Sequence, residues 1–255
     1  MLALRLYFFA CLTLTPPEPP MTLPPLSPYT QAFDLTNQSW SDNESRLMQQ
    51  VTPERGLFWI HIPPKGIVVP RKYRSRPLFR QASETLAAEG MPVHLRLSGG
   101  GVVPQSPHTV NLNLAYSVAT DNPFPTAEAH YLALCRLLQT LFNRFGIATD
   151  TQTVTGSFCD GRFNLAANGR KIAGTAQFWQ RDKTRPGRYT ILSHAVIIAA
   201  QAEELTRQAN RFEQALGSGV RYLPERTVSV EALSGAGSEI VADELNTLLI
   251  QTMPV

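Results

Sequence analysis

The dipeptide Asn168–Gly169 constrains this chain more than any other feature of its sequence. It separates residues 162–167 from residues 170–179. A two-residue hairpin turn needs positive φ at both central positions, which Asn and Gly adopt at low cost. The fold must therefore contain an antiparallel strand pair here, with Lys171 near the start of the returning strand.

Helix and strand signals alternate around that hairpin. Residues 41–51 read as a helix opened by polar capping residues. Residues 57–62 and 65–70 read as strands separated by Pro63–Pro64, and residues 75–90 as a helix, with Pro77 in its first turn and Gly90 after its last. Strands are expected at 92–97, running into Ser98-Gly99-Gly100-Gly101, and at 111–118. In the helix expected at 126–146, Leu134, Leu138, Leu141 and Phe145 recur on one face and Gly146 closes it. Cys135 falls inside that pattern and reads as a small core residue. A buried strand at 189–199, a helix at 202–217, a strand at 227–233 and a helix over the last twenty residues complete the reading. Together they indicate one mixed α/β domain without internal repeats.

Composition narrows the function classes. The chain has 255 residues, 43% of them hydrophobic and 17% charged, which fits a globular protein. Its cysteines, Cys11, Cys135 and Cys159, form no CxxC pair, so neither a disulfide framework nor a metal site is expected. No apolar run reaches the ~18 residues of a membrane span. The net charge of +3 is too mild to imply nucleic acid, but its distribution is uneven. Residues 61–100 carry seven Lys/Arg against two acids, and residues 162–188 seven against one, whereas four basic residues meet eight acidic ones from residue 201 onward. Such basic stretches are commonly solvated faces, but they also suit an acidic partner or an anionic ligand.

The first thirty residues stand apart. Residues 1–15 resemble a short signal-peptide core, but no small-residue cleavage site follows. Translation from Met21 is the other reading. Seven of the twenty prolines fall in residues 16–28, which excludes helix or central strand there. Residues 1–30 are thus expected to be disordered or outside the true start, leaving 31–255 as the domain.

Two constellations could carry chemistry. Arg96-Leu97-Ser98-Gly99-Gly100-Gly101, followed by Asn111-Leu112-Asn113, offers unshielded backbone N–H groups beside a guanidinium. It is neither a Walker loop nor a dinucleotide fingerprint, and a plain turn is the bland alternative. In the second constellation, strict alternation would place Lys171, Ala173, Thr175, Gln177 and Trp179 on one face, with Gly174 permitting close approach. An ordinary edge-strand lysine is the alternative.

Taken in order, Arg96-x-Ser98-Gly99-Gly100-Gly101, Asn111-Leu112-Asn113, Gly169-Arg170-Lys171-Ile172-Ala173-Gly174-Thr175-Ala176-Gln177 and Leu192-Ser193-His194 resemble the lipoate–protein ligase and octanoyltransferase family, from about residue 35 onward. The resemblance implies a biotin/lipoyl protein ligase type α/β domain and a cytoplasmic, monomeric enzyme that attaches octanoyl or lipoyl groups to a lysine of a lipoyl-carrier protein. The glycine cleavage H protein, 2-oxoacid dehydrogenase E2 domains and acyl carrier protein are the implied partners; nucleic acid and membrane are not. It implies substrate-binding roles for Arg96, Ser98, Gly99, Gly100, Gly101, Asn113, Gly174, Thr175, Ala176 and His194, although a satisfied core histidine is equally compatible with His194. Where many members carry Tyr-His-Asp, this chain has Pro104-Gln105-Ser106. Cys159-Asp160-Gly161, twelve residues before Lys171, matches members that work through a thioester, so Cys159 and Lys171 are the implied catalytic pair. That reading needs no cofactor. An ATP- and magnesium-dependent ligase with Cys159 incidental, and a non-catalytic binder of acylated proteins, are the alternatives. On an extended strand Cys159 would lie ~23 Å from the Lys171 pair position, so the Cys-Asp-Gly segment must fold back.

Overall fold

The computed structural model describes residues 21–36 and 38–252. Its elements in chain order are β1 (Leu26–Pro28), α1 (Trp40–Gln49), β2 (Gly56–His61), β3 (Gly66–Pro70), α2 (Phe79–Ala88), β4 (Val93–Arg96), β5 (Val103–Gln105), β6 (Thr109–Ala119), α3 (Phe124–Arg144), β7 (Asp150–Gln152), β8 (Asn164–Ala167), β9 (Arg170–Arg181), β10 (Arg188–Ile198), α4 (Ala202–Ala215), α5 (Val230–Ser234) and α6 (Ser238–Gln251). The α/β class expected from sequence is observed, built on a mixed sheet. Seven strands run β1-β2-β6-β10-β9-β8-β7, all neighbours antiparallel except β1 with β2. A second, three-stranded sheet, β4-β3-β5, was not foreseen.

Alternation along β6 separates two layers. Val110, Leu112, Leu114 and Tyr116 face Leu134, Leu138, Leu141 and Phe142 of α3 and Val241, Leu245 and Leu249 of α6 in the main core. Burial of each such leucine stabilises by about 1.5–3 kcal/mol, which is why the 3.6-residue period of α3 was legible. Against the opposite face, Leu47 and Met48 of α1 pack on Leu57, Trp59, Ala115 and Leu192. The small sheet closes over that same side, with its own core toward α2 and α4 that includes Ile67, Val69, Leu86 and Phe212. A cleft lies between the two sheets.

Several boundaries depart from expectation. The helix expected at 75–90 begins only at Phe79, after a 3₁₀ turn at Arg71–Ser75, so Pro77 precedes it. Gly90, at φ +72°, ends it as expected. The strand expected at 227–233 is reduced to a single bridge between Thr227 and Lys171. Ser229 accepts the Ala232 N–H and caps the short helix α5, and Gly235 stops it at φ +80°. Part of the proline-rich segment also belongs to the fold. Residues 1–20, including Cys11, lie outside the described residues, but Leu26–Pro28 pairs with β2, and Leu26 and Tyr29 are buried. Proline is tolerated there because β1 is an edge strand.

Candidate active site

The hairpin about Asn168–Gly169 forms as β8 and β9 with both turn residues at positive φ, but it is irregular where it matters. Leu165 pairs with Ala173 and Ala166 with Lys171, so Ile172 is an extra residue, a β-bulge. The bulge inverts the alternation expected from sequence. Ala173 packs into the main core and Trp179 against it, whereas Lys171 turns to the face of Gly174 and Ala176, toward the cleft. Gly174 is required by that turn: a Cβ there would meet Lys171 Nζ at 2.9 Å.

Lys171 is 1% exposed, and a buried ammonium needs partners. Its Nζ donates to the carbonyls of Phe158 (2.7 Å) and Cys159 (2.9 Å) and lies 5.0 Å from the Phe158 ring centroid. The Cys-Asp-Gly segment therefore does fold back over the sheet. It is pinned by Asp160, whose carboxylate accepts the Val154 N–H at 2.9 Å, and by Asn164, whose amide donates to the Cys159 carbonyl at 3.4 Å. Cys159 takes φ +47°, an uncommon backbone for a residue other than glycine, Asn or Asp. That turn aims its thiol at the glycine loop, where Gly101 N–H reaches Sγ at 3.3 Å. Gly100, at φ +103°, leaves room for the sulfur; a Cβ there would stand 3.0 Å from Cys159 Sγ and from the Arg96 guanidinium.

Arg96 organises the loop from within. Nearly fully buried, it donates to the carbonyls of Val68 (3.0 Å), Gly99 (2.8 Å) and Gly101 (2.9 Å), and its Nη2 lies 3.9 Å from Cys159 Sγ. Its Nε donates to Ser98 Oγ at 3.1 Å. That hydroxyl also shares a hydrogen bond with His194 Nε2, 2.7 Å away, while His194 Nδ1 lies 3.7 Å from Glu44 Oε1. The other Glu44 oxygen accepts the Leu97 N–H at 2.7 Å. Hydrogen-bonded polar groups thus run from His194 through Ser98 and Arg96 to the thiol, with Glu44 Oε1 close to His194 but without a hydrogen-bond partner of its own among the described residues.

Electrostatics follow from burial and these neighbours. Burial would raise the Cys159 thiol, but the Lys171 ammonium, the Arg96 guanidinium and the Gly101 N–H outweigh it and hold the thiol below its ordinary value. Burial pushes Lys171 down to about 8, against the attraction of Cys159 and Asp160. His194 is pushed down to about 3 by burial and is neutral at pH 7, while burial raises Glu44 to about 7, against the Leu97 hydrogen bond. A thiol held below its ordinary value beside an ammonium, a guanidinium and the Gly101 N–H is equipped for nucleophilic attack on a carbonyl.

Two cavities meet at Cys159. Between the sheets, the first is lined by Cys159, Lys171, Arg96, Gly174 and Ala176 at one side and by Val68, Val103 and Val196 with Asn111, Asn113 and Gln105 beyond; Thr175 and His194 also line it. The second is lined by Gly99, Gly100, Gly101, Cys159, Gln177 and the aromatic rings of Tyr131, Phe163 and Tyr222. The expected site residues are thus gathered around one thiol, with Ser98 buried behind it. Sequence reasoning missed Glu44, Gln105 as a lining residue and Tyr131. Glu44 carried no signal because a glutamate in a polar-capped helix reads as solvent-facing. Cys135, as expected, is a core residue. Among the described residues no three His, Cys, Asp or Glu side chains converge as a metal would require, and no helix is long and apolar enough to cross a membrane.

The sequence model of the lipoyl protein ligase A/B catalytic domain matches residues 41–252. An uncharacterized protein of Cupriavidus necator is 41% identical over 232 residues, covering 83% of this chain and 91% of its own length. An octanoyl-[GcvH]:protein N-octanoyltransferase of Kyrpidia tusciae is 34% identical over 206 residues, 77% of this chain and 69% of its own. Among solved structures, lipoate-protein ligase A bound with ATP superposes at TM-score 0.59 with 13% identity, over 82% of this chain and 75% of that one. A bipartite lipoate protein ligase of Thermoplasma acidophilum, studied with its E2 lipoyl domain, gives 0.54 and 16%, over 82% and 73%. At these identities the two structures speak to the fold alone.

Proposed function

The chain belongs to the lipoyl protein ligase A/B catalytic-domain family, an enzyme of the lipoate/octanoyl ligase–transferase type, and from that premise we propose that it is an acyltransferase working through a thioester on Cys159. One observation carries this reading: the thiol that Lys171, Arg96 and Gly101 favour as thiolate lies where two cavities join. The first cavity, walled by Val68, Val103 and Val196, suits an acyl chain, and the second, lined by aromatic rings, suits the arm that delivers it and the lysine that receives it.

In this mechanism the Cys159 thiolate attacks the acyl carbonyl, forming the S–C bond. Gly-loop N–H groups and the Lys171 ammonium stabilise the developing oxyanion. The donor's bond to the carbonyl breaks; a departing amine must gain a proton, and Lys171, held down toward neutrality, is the nearest acid. The neutral amine of an acceptor lysine then attacks the thioester, forms the amide, passes its proton to the now neutral Lys171 and releases the Cys159 thiolate, which restores the starting state. Arg96, Asn113, Gly174, Thr175, Ala176 and His194 line the acyl-binding cleft, Gly99, Gly100 and Gly101 line the second cavity beside the thiol with Ser98 buried behind them, and neither a metal nor ATP takes part. The catalytic unit runs from β1 to α6, so it begins ahead of residue 31.

The names of the relatives point to an octanoylated GcvH as donor and a protein lysine as acceptor. Purified protein should move an octanoyl group from octanoyl-GcvH to an unmodified E2 lipoyl domain without nucleotide, followed by the 126 Da mass gain on the acceptor that octanoylation produces (roughly, for an acyl group replacing one proton at a lysine). A strict requirement for ATP would overturn the transferase reading and favour the ligase alternative.

A further inference from the structure

The cleft between the sheets has a length that strand register fixes. Gly174 of β9 pairs with Val196 of β10, Val196 with Asn111 of β6, and Asn111 with His61 of β2, so these four residues form one row across the sheet. The row starts beneath the reacting group, because Lys171 Nζ stands 2.9 Å from where a Cβ on residue 174 would be. Val196 floors its middle, and Val68 and Val103, paired on β3 and β5, wall it from the small sheet. Gln105, further along β5, reaches Asn111 and spans the gap between the two sheets.

Gln105 and Asn111 close the cleft as a pair of amides. Asn111 Nδ2 donates to Gln105 Oε1 at 3.0 Å, and Gln105 Nε2 donates back to Asn111 Oδ1 at 3.5 Å. The same Gln105 oxygen accepts from Thr109, and Asn111 Nδ2 also lies 3.3 Å from His61 Nε2. Both side chains are nearly fully buried. Behind them the His61 ring stacks on Phe33 at 4.1 Å and lies 5.9 Å from that of Trp40, so the row is filled beyond Asn111. Two inter-strand steps separate Gly174 from Asn111, about 9–10 Å. A chain of eight carbons spans about 9 Å from carbonyl to methyl, at the rise per bond of a fully extended backbone. Because each amide satisfies the other, the methyl end of such a chain rests against the pair without orphaning a polar group. A longer chain could advance only by parting the pair, and a separated buried amide loses its hydrogen bonds without compensation.

We propose that the Gln105–Asn111 pair is the end wall of the acyl cleft and sets its limit at about eight carbons. Both are specificity-determining residues: they accept an unbranched octanoyl chain and exclude longer ones. The proposal rests on the reading of this cleft as the acyl site and adds the length of chain that fits. Up to the wall, each methylene buried against Val196, Val68 and Val103 should tighten binding about fourfold.

The test is calorimetric binding of hexanoate, octanoate, decanoate and dodecanoate to the full chain. For the native protein, affinity should climb roughly tenfold from hexanoate to octanoate and fall roughly tenfold or more at decanoate. In Gln105→Ala, which trims the wall, decanoate should bind more tightly than octanoate. If that variant fails to fold, Asn111→Ala, which removes the other half of the pair, must show the same shift, and if neither folds the ranking by the native protein decides alone. Decanoate or dodecanoate as the tightest ligand of the native protein, or a limit at octanoate that survives in a folded variant, would overturn the proposal and leave the acyl cleft in place. No binding by any of the acids would instead count against the cleft as the acyl site, and the wall would fall with it. Free-acid binding does not use the thiol: the expected limit without any Cys159 adduct would sink the thioester mechanism and leave this inference standing.

Discussion

At the scale of single residues, Lys171 and Gly174 are one device. The ammonium occupies the space a Cβ on residue 174 would fill, and the atom in the way is the end of a flexible side chain. Gly174→Ala should therefore displace the ammonium from its two carbonyl acceptors, lowering the melting temperature and lowering transfer at least tenfold. The thiol itself reports the same charge. Iodoacetamide alkylation of Cys159 should rise with pH through a midpoint below the ordinary thiol value, because the thiolate is the nucleophile. In Lys171→Met the midpoint should move up, since burial then acts with less opposition; an unchanged midpoint would show that the ammonium does not set the thiol's state. Arg96, Cys159 and Lys171 were legible because each sits in a motif with fixed spacing. Glu44 and the hydrogen bond between Ser98 and His194 were not, because they depend on which elements meet in space.

At the scale of elements, the bulge at Ile172 and the helix α1 complete the site. Strict alternation put Lys171 with Ala173 and Trp179, and one extra residue reverses that assignment; nothing in the local sequence marks the bulge, which arises from how β8 pairs. Helix α1 reaches the glycine loop through Glu44, which holds the Leu97 N–H. Glu44→Ala should destabilise by about 1–3 kcal/mol, the cost of orphaning a buried donor. Hydrogen exchange should quicken at residues 97–101 more than in the distant helix α3. Uniform change across the chain would mean that Glu44 is general packing rather than a loop anchor. The hairpin, the periodic face of α3 and the cap of α2 at Gly90 were readable because each is local. The segment at 227–233 misled because its alternating apolar residues satisfy a strand pattern, while Ser229 and Gly235 supply caps that favour one helical turn.

At the scale of the whole molecule, the basic stretch before α2 remains exposed: Arg71, Lys72, Arg74, Arg76 and Arg80 are all solvent-facing. An acidic carrier domain would meet such a surface by long-range attraction, which acts mainly on association rate and fades with salt. Reversing Arg71, Lys72 and Arg74 together should slow transfer to a carrier protein and flatten its salt dependence, while acylation by S-octanoyl-N-acetylcysteamine, a small uncharged thioester donor, stays unchanged. Equal loss with both donors would assign these residues to folding instead. The central claim concerns the thiol where the two cavities meet, and intact-mass spectrometry after incubation with an octanoyl donor tests it most directly. The account predicts an octanoyl adduct that hydroxylamine removes, that maps to Cys159, and that Cys159→Ser, folded and inert, does not form. Undiminished transfer by Cys159→Ser, or an adduct on any other residue, would contradict it.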